Sequence, residues 1–210
     1  MKIPGLILKQ MYTFGSLENT HEGFRFSLNP YRGCFHGCAY CYARPTHAYL
    51  DLSPGLDFET RLFYKPDAAA LLRAELARPG YRCSHIMLGA NTDPYQPIER
   101  RLGVTRAVLE VLAETRHPVA ITTRSALVLR DLDLLRTMAA DGLASVFVSI
   151  TTFDDGLKRR LEPRSAASVA RLHVLRELSA AGIPVGVMAA PMIPAVNDAE
   201  LETILARAAE

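Results

Sequence analysis

The chain of 210 residues has no tryptophan, only four cysteines and a net charge of just +2 with histidine neutral. So weak a charge does not by itself argue for a nucleic-acid partner, which is left as a weakly supported option. No apolar run approaches a membrane span, since stretches such as Val185 to Ala190 are far too short. The first residues, Met1 to Gln10, have an apolar patch but no small-residue cleavage site, so they read as neither signal peptide nor anchor. The location expected from this is cytoplasmic, with no membrane partner. Neither GxGxxG nor GxxxxGK[ST] occurs, which removes the common phosphate-cradling loops. Low complexity and fine internal repeats are absent as well.

What is present suits a globular protein with a core: 49% of residues are apolar and 22% charged. Residues 1–26 show no clear periodicity and read as a lead-in to one domain, 27–210. Short, β-branched, nearly continuous apolar runs follow at Ile86–Ala90, Val119–Thr123, Val146–Thr151 and Val185–Ala190, after a first short strand at about Arg25–Asn29. Strands buried in a parallel sheet read this way. Helical patterns separate them at about Pro66–Arg78, Thr105–Arg116, Asp131–Gly142 and Ser165–Ala181, and a last one runs from about Asp198 to the end. Pro66 suits a first turn, Asp131 an N-cap, and Gly182 with Pro184 a stop. The expected class is α/β, with about five β/α units joined by right-handed crossovers. A doubly wound sheet and a partial (β/α) barrel both fit. Polar residues at the C-terminal ends of the runs (Asn91-Thr92-Asp93, Thr123-Arg124-Ser125, Ser149 to Thr152) favour the barrel, where chemistry sits at those ends.

Three of the four cysteines fall within eight residues, in Asn29-Pro-Tyr-Arg-Gly-Cys34-Phe-His-Gly-Cys38-Ala-Tyr-Cys41-Tyr42. They are too close to pair with one another, and in a reducing compartment such clustering points to metal. Three thiolates can ligate three irons of a cubane and leave the fourth iron open to a chelating small molecule. Gly33 and Gly37 let the backbone turn closely around such a cluster, whose potential neighbouring amides can tune. A zinc knuckle with His36 or His47 as fourth ligand is the alternative, although zinc spacing normally comes as two pairs. Cys83, alone, reads as a plain thiol.

CxxxCxxC with an aromatic before the last cysteine, placed after the first strand of a β/α series, resembles the radical SAM superfamily. The further order ANTDPYQPIE, ITTRS, SITT…EPR and AAPMIPAVND is similar to its spore photoproduct lyase-like branch, over about residue 26 to the end. The resemblance implies a [4Fe-4S] cluster on Cys34, Cys38 and Cys41 that chelates S-adenosylmethionine (SAM). It also implies a one-electron donor such as flavodoxin or ferredoxin, and reductive cleavage of SAM to a 5′-deoxyadenosyl radical that abstracts hydrogen from a substrate. By position, Tyr40 and Tyr42 would flank the cluster and adenine, and Thr92 and Asp93 would face the SAM methionine and ribose. Arg124 stands where the branch has a lysine reaching the SAM carboxylate, an exchange that is not neutral. Ser149 would reach ribose or carboxylate, and Ala190 would contact adenine through its backbone.

Each of these has a plain reading beside the functional one. The tyrosines can be packing aromatics, Asp93 before Pro94 can begin a turn, Arg124 can be a loop charge, and Ser149 can satisfy a backbone group. Glu162-Pro163-Arg164 reads as a turn leading into a helix, with an ion pair. Lys158-Arg159-Arg160 reads as a solvated face, and His21, His85, His117 and His173 as incidental. Two departures from the branch stand out. Ala90 occupies the position where spore photoproduct lyases carry a hydrogen-donating cysteine, which counts against repair of DNA photolesions. Five β/α units are counted where the superfamily core has six, so the sixth is missing and the domain reads as truncated at its C-terminus. Three readings follow: a radical SAM enzyme of unassigned substrate, a DNA photolesion lyase, and a non-catalytic iron-sulfur or zinc module.

Overall fold

The computed structural model describes residues 26–210, so the expected lead-in, apart from Phe26, lies outside the described residues. The strands are β1 (Phe26–Leu28), β2 (Tyr31–Arg32), β3 (Phe63–Tyr64), β4 (Ile86–Leu88), β5 (Val119–Thr123), β6 (Ala144–Ser149) and β7 (Val185–Met188). One five-stranded sheet has the order β1-β4-β5-β6-β7, with every neighbouring pair parallel. The class and strand count are those expected from the apolar runs. Apart from β5, each strand stops earlier than its run, because residues such as Ala90 and Thr151 belong to the loops at the C-terminal ends.

Helices Ala68–Leu76, Val104–Glu114, Leu132–Ala140 and Ser168–Ala180 connect successive strands, and Leu201–Ala209 follows β7. Ser168–Ala180 packs on β6 and β7. One face of the sheet is sealed by these helices: Ile86, Leu88, Ile121, Val146 and Val148 are all completely buried in the core. The register aligns Met87 with Ala120 and Thr122 with Phe147 on the opposite face. There Met87, Thr122, Phe147, Gly186 and Met188 are only half-buried. A doubly wound sheet would cover both faces with helices. Burial on one side, with an open concave face on the other, is the partial-barrel solution.

Two local expectations need correction. Asp131 does not cap the helix that begins at Leu132, because its carboxylate is taken by Arg106 and Arg130 at 3.0 and 2.8 Å. A short 3-10 turn, Ala126–Asp131, leads in instead, and Ser125 Oγ accepts the Leu127 N–H at its start. The helix expected from about Ser165 begins at Ser168, after a short helix Asp155–Leu161, and the Ser165 hydroxyl is bonded to Glu162. The segment between the cysteines and Pro66, without periodicity in the sequence, forms the antiparallel pair β2–β3, a 3-10 helix Arg44–Leu50 and a short helix Leu56–Thr60.

Candidate active site

The cysteine loop follows β2 and is held from three sides. Cys34 N–H donates to the Phe58 carbonyl and Ala39 N–H to the Leu161 carbonyl, both at 2.9 Å. Arg44 donates through Nε and Nη2 to the Cys38 carbonyl at 3.0 and 2.9 Å, and Arg164 Nε donates to the Phe35 carbonyl. Glu59 receives both guanidiniums. Gly37 lies against this Arg–Glu–Arg clamp with φ +66°, and a Cβ there would stand 2.0 Å from an Arg164 nitrogen. Only glycine lets the loop lie so close.

Cys34, Cys38 and Cys41 are free thiols, and all three line one cavity of about 320 Å³. Burial, and then the charge of Asp93, push the Cys34 thiol up to about 12, and burial also raises Cys38. Cys83 is exposed and takes no part in the lining. The facing wall comes from the C-terminal ends of β4 to β7: Met87, Gly89, Ala90, Asn91, Thr122, Arg124, Ser149 and Met188. The strand-end residues that the sequence singled out on three different strands therefore converge opposite the thiols.

Arg124 is bonded through Nε to Glu162 at 3.3 Å, and its guanidinium lies 5.7 Å from the centre of the Tyr40 ring. Among the described residues its terminal nitrogens have no hydrogen-bond partner, and its side chain is 22% exposed to the cavity. Ser149 is completely buried, lines the cavity, and leaves its Oγ without a partner. A buried hydroxyl with no acceptor or donor is costly unless a ligand or water completes it. Asp93 also lines the cavity, with most of its acceptor capacity taken within the protein. Its Oδ1 accepts Tyr95 N–H and Thr123 Oγ–H at 2.9 and 2.7 Å, and its Oδ2 accepts Arg124 N–H at 2.7 Å and faces His36 Nε2 at 3.3 Å. Burial raises the Asp93 carboxyl, but the His36 charge and these hydrogen bonds outweigh it and hold it at about 2.

Asp93 thus shapes the loop after β4, spending three hydrogen bonds on Tyr95, Thr123 and Arg124. Thr92 points elsewhere too, because its Oγ donates to the Tyr31 carbonyl at 2.9 Å and the residue does not line the cavity. Ala190 lies beyond the lining, with its carbonyl 3.4 Å from Thr151 Oγ. Tyr42 is 70% exposed at the rim, and its hydroxyl donates to the Ala90 carbonyl. Tyr40 lines the cavity and donates to Glu162.

Sequence reasoning missed Glu162 and Arg171. Glu162 is completely buried and accepts from Tyr40, Thr151, Arg124, Arg171 and Ser165. Burial raises its carboxyl, but the Arg171 and Arg124 charges prevail and hold it at about 2. Arg171, also completely buried, sits within a helix that carries no clear amphipathic stripe, so no periodicity marks it. The EPR triplet reads as a turn with an ion pair, and Glu162 does form ion pairs, though with Arg124 and Arg171.

The radical SAM superfamily profile matches residues 28–208. The chain belongs to that superfamily. It is 43% identical over 175 residues to an uncharacterized protein of Mycobacterium tuberculosis, covering 83% of this chain and 52% of that one. An uncharacterized protein of Acidianus two-tailed virus is 31% identical over 199 residues, covering 91% and 64%. The chain thus spans about half the length of the mycobacterial relatives it matches. Among solved structures, spore photoproduct lyase complexed with dinucleoside spore photoproduct superposes with a TM-score of 0.69 at 18% identity, over 100% of this chain and 58% of that one. A spore photoproduct lyase mutant with bound AdoMet and dinucleoside spore photoproduct gives 0.67 at 19% identity, over 92% and 54%. The fold is that of the spore photoproduct lyase core, and the partial-barrel expectation agrees with it.

Proposed function

We propose that Cys34, Cys38 and Cys41 hold a [4Fe-4S] cluster and that SAM binds in the adjoining cavity, as the reactive core of a radical SAM enzyme. The observation that carries this reading is the cavity itself, with three free thiols on one wall and the open edge of Arg124 with the unpartnered Ser149 hydroxyl on the other. When bound, the two cofactors supply one-electron cleavage of the SAM sulfur–carbon bond and a 5′-deoxyadenosyl radical that abstracts hydrogen from substrate.

The residues present fit such a pair. The Gly37 cradle and the clamp of Arg44, Glu59 and Arg164 hold the loop with its thiols toward the cavity before any metal enters. Arg124 offers parallel N–H groups for a carboxylate, which suits the methionine end of SAM. Ser149 offers one further polar contact, and Tyr40 lies beside Arg124 as a wall. Among the described residues no group of three or more Cys, His, Asp or Glu side chains is drawn together as around a single ion. His36 lines the cavity, with Nδ1 3.4 Å from the Arg164 carbonyl and Nε2 3.3 Å from Asp93, whereas His47 does not line it and its Nε2 faces the Arg61 carbonyl at 3.0 Å.

No described helix is long and apolar enough to cross a membrane. The reading includes a reducing cytoplasm, where the thiols stay available, and a flavodoxin or ferredoxin as electron donor. The substrate is left open. The fold shared with a lyase complexed with a dinucleoside lesion favours a nucleic-acid substrate as the second reading. Ala90, on the cavity wall where those lyases carry a cysteine, opposes repair by that route because it has no weak X–H bond to give.

Anaerobic reconstitution tests the proposal. Wild-type protein should hold about four irons with matching sulfide, and the EPR signal of the reduced protein should change on adding SAM. Zinc without sulfide, or a signal indifferent to SAM, would overturn it.

A further inference from the structure

Glu162 joins parts of the chain that are distant in sequence. Its Oε1 accepts Thr151 Oγ–H at 2.6 Å, Arg124 Nε–H at 3.3 Å and the Tyr40 hydroxyl. Its Oε2 accepts Ser165 Oγ–H at 3.1 Å and the Arg171 guanidinium. The end of β5, the loop after β6, the helix Ser168–Ala180 and the cysteine loop therefore meet on one carboxylate. Arg171 has other tasks as well, donating to the Ser149 and Ala166 carbonyls at 2.7 and 2.8 Å. Arg171 is completely buried and Arg124 borders the cavity, so of the two guanidiniums on Glu162 only that of Arg124 is presented there.

We propose that Glu162 is a positioning residue for SAM: it holds Arg124 by Nε alone, keeps the terminal N–H edge of that guanidinium directed at the ligand carboxylate, and ties it through Tyr40 to the cysteine loop. The inference rests on the reading that SAM occupies this cavity. A guanidinium is planar, so fixing Nε on one side fixes the direction of the fork on the other. Freed of Glu162, the long side chain would lose that direction to rotamer entropy.

Glu162→Gln separates orientation from charge. Arg171 and Ser165 require an acceptor, so the amide oxygen must face them and the NH₂ group must face Oε1's former donors. Tyr40 and Thr151 can turn their hydroxyls to accept from it, whereas Arg124 Nε–H cannot. The variant thus releases Arg124 selectively and also leaves one more positive charge near the ligand. SAM has a net charge of about +1 and decarboxylated SAM about +2 at neutral pH. Extra positive charge alone therefore penalises the decarboxylated compound more and raises the preference for SAM. Loss of the carboxylate hold lowers that preference.

The experiment measures Kd for SAM and for decarboxylated SAM by calorimetry on anaerobically reconstituted protein, with iron content as control. In Glu162→Gln the preference for SAM should fall about tenfold, the effect of one charge-assisted hydrogen bond, at wild-type iron content. In an Arg124→Ala background the same substitution should change nothing further, because Glu162 acts through Arg124. A wild-type or greater preference in Glu162→Gln, while Arg124→Ala lowers it, overturns the inference and leaves the proposed function standing. An unchanged preference in Arg124→Ala overturns both the role of Arg124 and this inference. Should Glu162→Gln fail to fold, Glu162→Asp keeps the charge that Arg171 needs while withdrawing the carboxylate from Arg124. Its preference should also fall, and a wild-type value there counts against the positioning role.

Discussion

On β4, Ile86 and Leu88 are completely buried against the helices, whereas Met87 between them is half-buried and lines the cavity. On β6, Val146 and Val148 repeat the first pattern, and Phe147 and Ser145 are half-buried on the second face. Alternate residues of one strand thus serve different ends. The outer face supplies the apolar burial that holds the parallel sheet to its helices. The inner face gives up part of that burial and forms a chamber beside the cysteine loop. A single strand pattern can do both because side chains alternate with period two.

The largest effect expected is at the loop that closes the chamber. Cys38→Ala should abolish cluster assembly, since two thiolates hold a cubane poorly, yet leave thermal unfolding near wild type. Iron and sulfide analysis and a melting curve check both halves. A full cluster in the variant would break the assignment of Cys38.

The two faces should separate next in stability. Leu88→Ala removes a completely buried side chain and should cost about 2–5 kcal/mol, while Met87→Ala, on the chamber side, should cost less than about 2 kcal/mol. Urea unfolding measures both, and equal losses would show that the inner face is as tightly packed as the outer.

Within the chamber, Arg124→Ala should weaken SAM binding about tenfold with iron content intact, read by calorimetry. Unchanged affinity would make Arg124 a plain structural charge.

Acid should act on the chamber's buried carboxylates. Glu162 is held at about 2 against an ordinary 4.5, and Asp93 at about 2 against 3.8. Between those values the unfolded chain binds more protons than the folded one, so stability falls as pH drops through that window and is fully present above it. Denaturant melts at a series of pH values should show a shallower acid slope in Glu162→Gln than in wild type. An identical slope would mean that Glu162 titrates normally.

The smallest effect concerns Ala90. With no thiol there, reduced protein given SAM and a lesion-bearing dinucleotide should restore negligible thymine and release 5′-deoxyadenosine without coupled product. Many turnovers of repair, measured by chromatography, would put the DNA-lesion reading first.

Much of the scaffold was legible because parallel strands buried in a core need continuous β-branched runs. Val119–Thr123 therefore reads identically in sequence and structure. The cysteine triplet was legible because its spacing is local, whereas Arg124 and Ser149 were assigned by position from the resemblance, at strand ends that the apolar runs mark. Thr92 and Asp93 are assigned ligand contacts by position, from the resemblance to the lyase-like branch. The fold instead consumes them, Thr92 at the Tyr31 carbonyl and Asp93 on Tyr95, Thr123, Arg124 and His36.

By itself the sequence determined the strand–helix alternation, the α/β class and the loop that brings three thiols together, all of them governed by local spacing and periodicity. Tertiary structure alone decided which polar side chains keep free valences. Glu162 and Arg171 are buried together, although their surroundings in the chain read as a turn and a helix of no marked face. Their pairing depends on residues 40, 124, 151, 162 and 171 arriving at one point. A charge is buried only where partners compensate it, and those partners come from segments whose meeting no local pattern encodes.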